Sequence, residues 1–333
     1  MLEKQLQSIT KQPPQEIGSN DITAGLREAS QSYEKTQEKD IKTITRDIAD
    51  RIINPSEEET MEKGHKVTFE EMLQKISDNA TTKYPEYSEL IHSLIETRRL
   101  LYTESEIERC KRMIADRRVP YNKQAYFKEL NKKLWLNLTQ SMSILTNTLL
   151  DNIDNPEIGK NLWEGAHILA KKYGLSKDSK ENIAHIDGIK RGVTGQVAVH
   201  LLLKSVGLET TFSSCEQDSF EATDELFDYK GQRVAVSVKS KENLSQPIIE
   251  IIKKPQITPA VPDSRFQKNN TTYHAITGNV QEQMSDFAKV LPKNHVGLYI
   301  NIPARFVHQE TGEISPTQLP ILQNLIKTEL NKL

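Results

Sequence analysis

The sequence is short of several things, and each shortage excludes a class of protein. Only two cysteines occur in 333 residues, Cys110 and Cys215. No disulfide framework and no zinc site of Cys-x-x-Cys type can be built from them, and the usage fits a reducing compartment such as the cytoplasm. Neither sign of charge is in excess, since 44 Lys and Arg stand against 46 Asp and Glu, a net charge of -2. That excludes a global basic field for nucleic acid or anionic lipid, though not a local patch. No run of about 18 uncharged apolar residues is present, so no membrane span is expected. The opening residues Met1-Leu2-Glu3-Lys4-Gln5 lack the apolar stretch of a signal peptide. The expectation is a cytoplasmic protein, or one exported by a route that needs no such peptide.

Glycine is scarce in one part and not in the other. Of 14 glycines, Gly18, Gly25 and Gly64 precede residue 150 and the rest follow it. Glycine is costly in helices and useful in turns, so the first part reads as mostly helical and the second as mixed. Residues 1–65 hold no Trp or Phe and are broken by Pro13-Pro14 and Asn54-Pro55. Their one pattern is Ile41, Ile44, Ile48 and Ile52, a narrow helical stripe that suits a lone amphipathic helix in a polar, partly flexible arm. Residues 1–35 offer too little apolar surface to offset the entropy of ordering and should be cut first by proteases. Residues 66–155 carry helical stripes, the clearest being Leu134, Leu138, Met142, Leu145 and Leu149. Asp151-Asn152 and Asn155-Pro156 then mark a boundary.

From 156 to 333 the texture is α+β. Helices are expected over Leu162–Tyr173, ended by Gly174, over Gly195–Ser205, over Ala275–Leu291 and over Pro320–Leu333. Leu226–Tyr229 leads through a turn at Lys230-Gly231 into Val234–Lys239. There Val234, Val236 and Val238 share one strand face, and Ala235, Ser237 and Lys239 the other. Val296–Ile302 reads as a further strand stopped by Pro303.

The chemistry-bearing window is 191–241. A helix opens with Gly195-Gln196, Asp224 heads the hairpin, and Ser237-Val238-Lys239 lies on its second strand. This layout resembles the PD-(D/E)xK nuclease superfamily, the restriction-endonuclease-like fold, over roughly residues 185–302. The resemblance implies a mixed-sheet domain over 156–333 behind the helical region. It also implies a site made of Gln196, Asp224, Ser237 and Lys239, with Asp224 as the metal ligand. In such a site, paired carboxylates hold Mg²⁺, which activates water against a phosphodiester, while the lysine stabilises developing charge. Here Gln196 stands where the family's helix carries Glu, and Ser237 stands for the strand Glu. Neither is a good Mg²⁺ ligand. Glu221 and Glu225 are the nearby carboxylates, and Glu225 should face away from Asp224 on an extended chain. The implied function is therefore a binding or interaction protein on a nuclease-like scaffold with lost catalysis, suited to a secreted bacterial effector. The alternative is a metal-dependent nuclease cleaving DNA or RNA with a rearranged site. Mg²⁺ is expected only if that site is active, and no small-molecule cofactor is expected. Nucleic acid and protein both stay open as partners.

Three weaker signals complete the list. Ser237 and Lys239 share a strand face and have the residue types of a Ser-Lys hydrolase, but no glycine-rich oxyanion loop accompanies them. His185 and His200 flank the window without metal-ligand spacing and read as structural histidines. From Arg98 to Lys133, eleven basic residues face five acidic ones, with Tyr102, Tyr121, Tyr126 and Phe127 interleaved. The favoured expectation there is a solvated helical face whose aromatics pack inward.

Overall fold

A computed structural model describes residues 41–62, 64–116, 118–253 and 279–333. The proteolysis expectation for 1–35 and the start of the helix expected from Ala275 lie outside these residues. The described residues from Thr45 on form one compact unit.

Helix α1 is described over 41–53. Ile48, Ala49 and Ile52 have no exposed surface, so from Thr45 on this helix is built into the compact unit and does not stand alone. Tyr173 ties it down further by donating its hydroxyl to the Ile52 carbonyl at 3.1 Å. A short helix α2 (Glu57–Thr60) and a two-residue hairpin, β1 (Met61–Glu62) with β2 (His65–Lys66), lead to α3 (Phe69–Lys83). Next come two long helices, α4 (Ser88–Ala115) and α5 (Tyr121–Asp151), packed along one another, then α6 (Pro156–Tyr173) and α7 (Ser179–Ser205). The helix expected from Gly195 is thus the C-terminal part of α7. Among the described residues no helix is long and apolar enough to cross a membrane. The turn at 151–155 is present, and the helices on both sides of it belong to the same unit.

The remaining elements are β3 (Thr211–Phe212), α8 (Cys215–Glu221), β4 (Glu225–Tyr229), β5 (Gln232–Lys241), β6 (Ile248–Ile252), α9 (Val280–Val290), β7 (His295–Pro303) and α10 (Leu319–Leu330). The five strands form one mixed sheet in the order β3-β4-β5-β7-β6. β4 and β5 pair antiparallel, β5 and β7 parallel, and β7 and β6 antiparallel. The hairpin turn places Lys230 at φ 48° and Gly231 at φ 76°. Two positive φ values fit the tight turn whose twist matches the strands, and glycine takes one of them without strain.

The alternation along β5 separates the two faces as expected. Val234, Val236 and Val238 face a core with Ala198, Val199, Leu202 and Leu203 of α7, Phe227 of β4, and Leu322, Ile326 and Leu330 of α10. Ala235 faces the other side, with Leu226, Tyr299 and Phe287 of α9. Gly195 lets α7 approach closely, since a Cβ there would stand 2.9 Å from Ser240 Cβ. The hairpin over 224–239 therefore lies inside the sheet with α7 packed on it.

Candidate functional site

Three local devices bring the site together. The first is the end of β4. Asp224 N–H donates to Val236 O at 2.8 Å, and Val238 N–H donates to Asp224 Oδ2 at 2.7 Å. The carboxylate thus continues the β4–β5 ladder past the last paired residue of β4, satisfying a strand N–H that would otherwise be orphaned. The second is α7. Gln196 donates its Nε2 to Asp224 Oδ1 at 2.6 Å and accepts from Thr146 Oγ1 of α5 at 3.0 Å. Both carboxylate oxygens of Asp224 are taken, and the residue is 8% exposed.

The third device is α8. Ser214 and Gln217 form a capping box at its start, and Ala222 at its end adopts φ 50°. That left-handed residue turns the chain sharply into β4. Ser213 N–H on Asp224 O at 3.0 Å closes the loop at its base. The result sets Asp218 against Asp224 in one narrow cleft. Burial pushes the Asp218 carboxyl up to about 8, the charge of Asp224 adds to the rise, and Lys239 opposes it. Asp218 is the site residue that sequence reasoning missed.

The cleft is lined by Thr139, Ser143 and Thr146 of α5, by Gln196, and by Phe212, Ser213, Cys215, Asp218 and Asp224. Its volume is about 20 Å³, room for about one water. Thr139 and Ser219 hydroxyls meet at 2.7 Å and join α5 to α8 beside it. A larger cavity of about 630 Å³ lies elsewhere, between β6 and α10, lined in part by Ile248–Ile251, Leu325 and Glu329.

Of the residues expected from the sequence, Gln196 and Asp224 are brought into contact. Ser237 is adjacent in the ladder but has no exposed surface, and its Oγ has no hydrogen-bond partner. It makes no bond to Lys239, so the pair has no hydrolase geometry. Lys239 is half-buried, has no hydrogen bond or ion pair among the described residues, and acts on Asp218 through its charge. Glu225 faces the opposite side of the sheet, as expected. It is fully buried, accepting from Thr210 Oγ1 at 2.5 Å and lying 3.0 Å from His200 Nδ1. Burial pushes its carboxyl up, and the His200 and Thr210 bonds pull it down. His185 sits away from the cleft, against Glu104 at 2.8 Å, and that bond raises its pKa.

The donor set does not fit the Mg²⁺ that the resemblance implies. Each Asp224 oxygen already accepts a hydrogen bond, Gln196 turns an amide nitrogen toward it, and Ser237 is sealed. Among the described residues no group of three or more His, Cys, Asp or Glu is placed to hold a metal ion. Comparison with protein families, with curated proteins and with solved structures finds no match for the chain.

Proposed function

We propose that this protein is a binding or interaction protein on a PD-(D/E)xK nuclease-like scaffold whose metal site is lost. The scaffold part rests on the mixed sheet, with Asp224 at the head of its inner hairpin, Lys239 on the second strand, and Gln196 on the helix packed across it. The loss of catalysis rests on one observation, the enclosure of Asp224 with a hydrogen bond on each carboxylate oxygen. Its oxygens hold Gln196 and the Val238 backbone in a space fit for about one water, so a phosphodiester cannot reach it. Fold likeness alone grants no activity.

The test is a cleavage assay on single- and double-stranded DNA and RNA with Mg²⁺ or Mn²⁺. The expected result is no turnover above an Asp224→Ala control. A complementary calorimetric titration with Mn²⁺ should show no binding to the wild type and binding to Gln196→Glu, which would set a third carboxylate beside Asp218 and Asp224. A Glu at 237 has no room, because Ser237 is fully enclosed. One observation favours the alternative, a nuclease with a rearranged site. Asp218 supplies a second carboxylate next to Asp224 and within the field of Lys239. Wild-type cleavage lost in both Asp218→Asn and Asp224→Ala would establish that alternative.

A further inference from the structure

The start of α5 carries a surface that the cleft does not use. From Arg118 to Lys133 the chain holds Arg118, Lys123, Lys128, Lys132 and Lys133 against Glu129 alone. The apolar side of this stretch is already occupied, since Phe127, Leu130 and Leu134 pack with Ile107 and Cys110 of α4. The other side faces solvent. Tyr121 is 82% and Tyr126 is 63% exposed, the reverse of the inward packing expected from the sequence. Lys123, Lys128 and Lys133 are exposed, and their ammonium groups have no ion-pair or hydrogen-bond partner among the described residues. Three of the cations before them are neutralised, Arg109 by Glu106 at 2.5 Å, Lys111 by Glu108 at 2.6 Å and Arg118 by Asp116 at 2.8 Å.

We propose that this face binds single-stranded nucleic acid without sequence preference. Each exposed tyrosine has a lysine seven residues on, two turns along the same helical stripe. Tyr121 aligns with Lys128 and Tyr126 with Lys133, and Ala125 lies between the stripes. Along each stripe a flat ring is followed about 10 Å on by a cation with no partner among the described residues, an alternation of the kind a strand offers, in which a stackable base alternates with a phosphate. A bilayer is a poorer occupant, because an interfacial helix needs a free apolar face and this one is spent against α4. A duplex or an acidic peptide would use the lysines and leave the rings idle. The inference does not rest on the nuclease-like reading of the Asp224 cleft and requires no cleavage.

The experiment uses the full chain and a fluorescein-labelled oligo(dT) or oligo(U) of about 15 nucleotides, with anisotropy read in EDTA so that any metal chemistry is silent. Binding should weaken steeply with salt. The double variant Lys128→Gln, Lys133→Gln should lower the slope of log K against log salt by about 1.4. Tyr121→Ala with Tyr126→Ala should weaken binding roughly 10-fold or more at every salt concentration, whereas Tyr121→Phe with Tyr126→Phe should keep it. All these side chains are exposed, and Tyr126 makes only an edge contact with Phe127, 5.5 Å between centroids, so the melting temperature should move little. The proposal is overturned by absence of binding, by binding that neither set of variants reduces, by a duplex bound as tightly as the single strand, or by tyrosine-dependent capture on phosphatidylserine vesicles in place of the oligonucleotide.

Discussion

Asp224 and Glu225 are consecutive carboxylates whose side chains leave the chain on opposite sides; both are reached from α7, Asp224 by Gln196 and Glu225 by His200, yet their surroundings differ. On the α7 side, Glu225 is sealed with His200 and Thr210, and the His200 ring stacks on Phe212 with centroids 4.6 Å apart. Around that small polar knot the packing is aliphatic. On the α9 side, polar residues continue along the strands. Ser237 and Lys239 on β5 lie beside Tyr299 and Asn301 on β7, and Tyr299 donates its hydroxyl to Gln283 Oε1 at 2.7 Å. Ser237 Oγ and Asn301 Oδ1 are buried there without a partner. Each such orphan costs about 1–3 kcal/mol that an apolar residue would not. The α7 side is not free of such orphans, since Glu225 Oε1 and Ser240 Oγ are also buried without a partner, so the two faces differ in their apolar packing and in the polar residues that run on beside Lys239. Departures of this kind from a consistent core concentrate where a site is or was.

The largest expected effect tests the apolar face. Phe227 is 1% exposed within the α7-side core. Phe227→Ala should cost about 3–5 kcal/mol, because the transfer energy of the ring is lost and a cavity is left under α7. Urea unfolding should show the midpoint falling with little change in slope. A loss below about 1 kcal/mol would mean that α7 and α10 do not hold this face as described.

Much of that face was legible in the sequence, and the polar face was legible only in part. The period-2 run Val234–Val238 and the Lys230-Gly231 turn fix a hairpin locally, since the strand pattern and the turn geometry agree. Gln196 and His200 stand one helical turn apart, and that spacing sets them against the neighbouring residues Asp224 and Glu225. Asp218 had no such signal. Its meeting with Asp224 depends on the short helix α8, on the left-handed turn at Ala222 and on the cover given by α5, none of which has a periodic signature. Ser214 followed by Gln217 is a capping pair that marks the start of α8 and could have exposed it. The isoleucine stripe of α1 was readable as a helix, but period alone does not say what a stripe packs against. The tyrosines of α5 show the same limit, because interleaved charge and aromatics do not reveal which side the helix buries.

A middle-sized effect tests the cleft through pH. The folded state raises the Asp218 pKa to about 8, mainly by burial. The native protein therefore holds this proton more firmly than the unfolded chain does. Its own contribution to stability is most favourable below the ordinary carboxylate range and becomes unfavourable as pH rises toward 8. Glu225, also raised by burial, acts in the same direction. Asp218→Asn removes its own share. The variant should melt close to the wild type at acid pH and above it by roughly 1 °C or more at alkaline pH, with a shallower profile between. Identical profiles at pH 5, 7 and 9 would show that Asp218 ionises freely and that the cleft is open to water.

The smallest expected effect separates a relic from a working site at Ser237. With no exposed surface and no partner for its hydroxyl, this serine contributes a desolvation cost and no hydrogen bond. Ser237→Ala removes the oxygen and hardly changes the volume, so stability should stay level or rise by up to about 1 kcal/mol. The lower strand preference of alanine sets a limit on the gain. The comparison is sharpest against Phe227→Ala, since the two residues sit on neighbouring strands of one sheet and differ in the face they serve. If Ser237→Ala instead loses about 1 kcal/mol or more, its hydroxyl must be holding a water or an ion beside Asp224. A repeat of the melt with Mn²⁺ then distinguishes them: stabilisation of the wild type alone identifies an ion and restores the metal-dependent reading, whereas an equal response in both proteins identifies a water and leaves the cleft a closed polar seam.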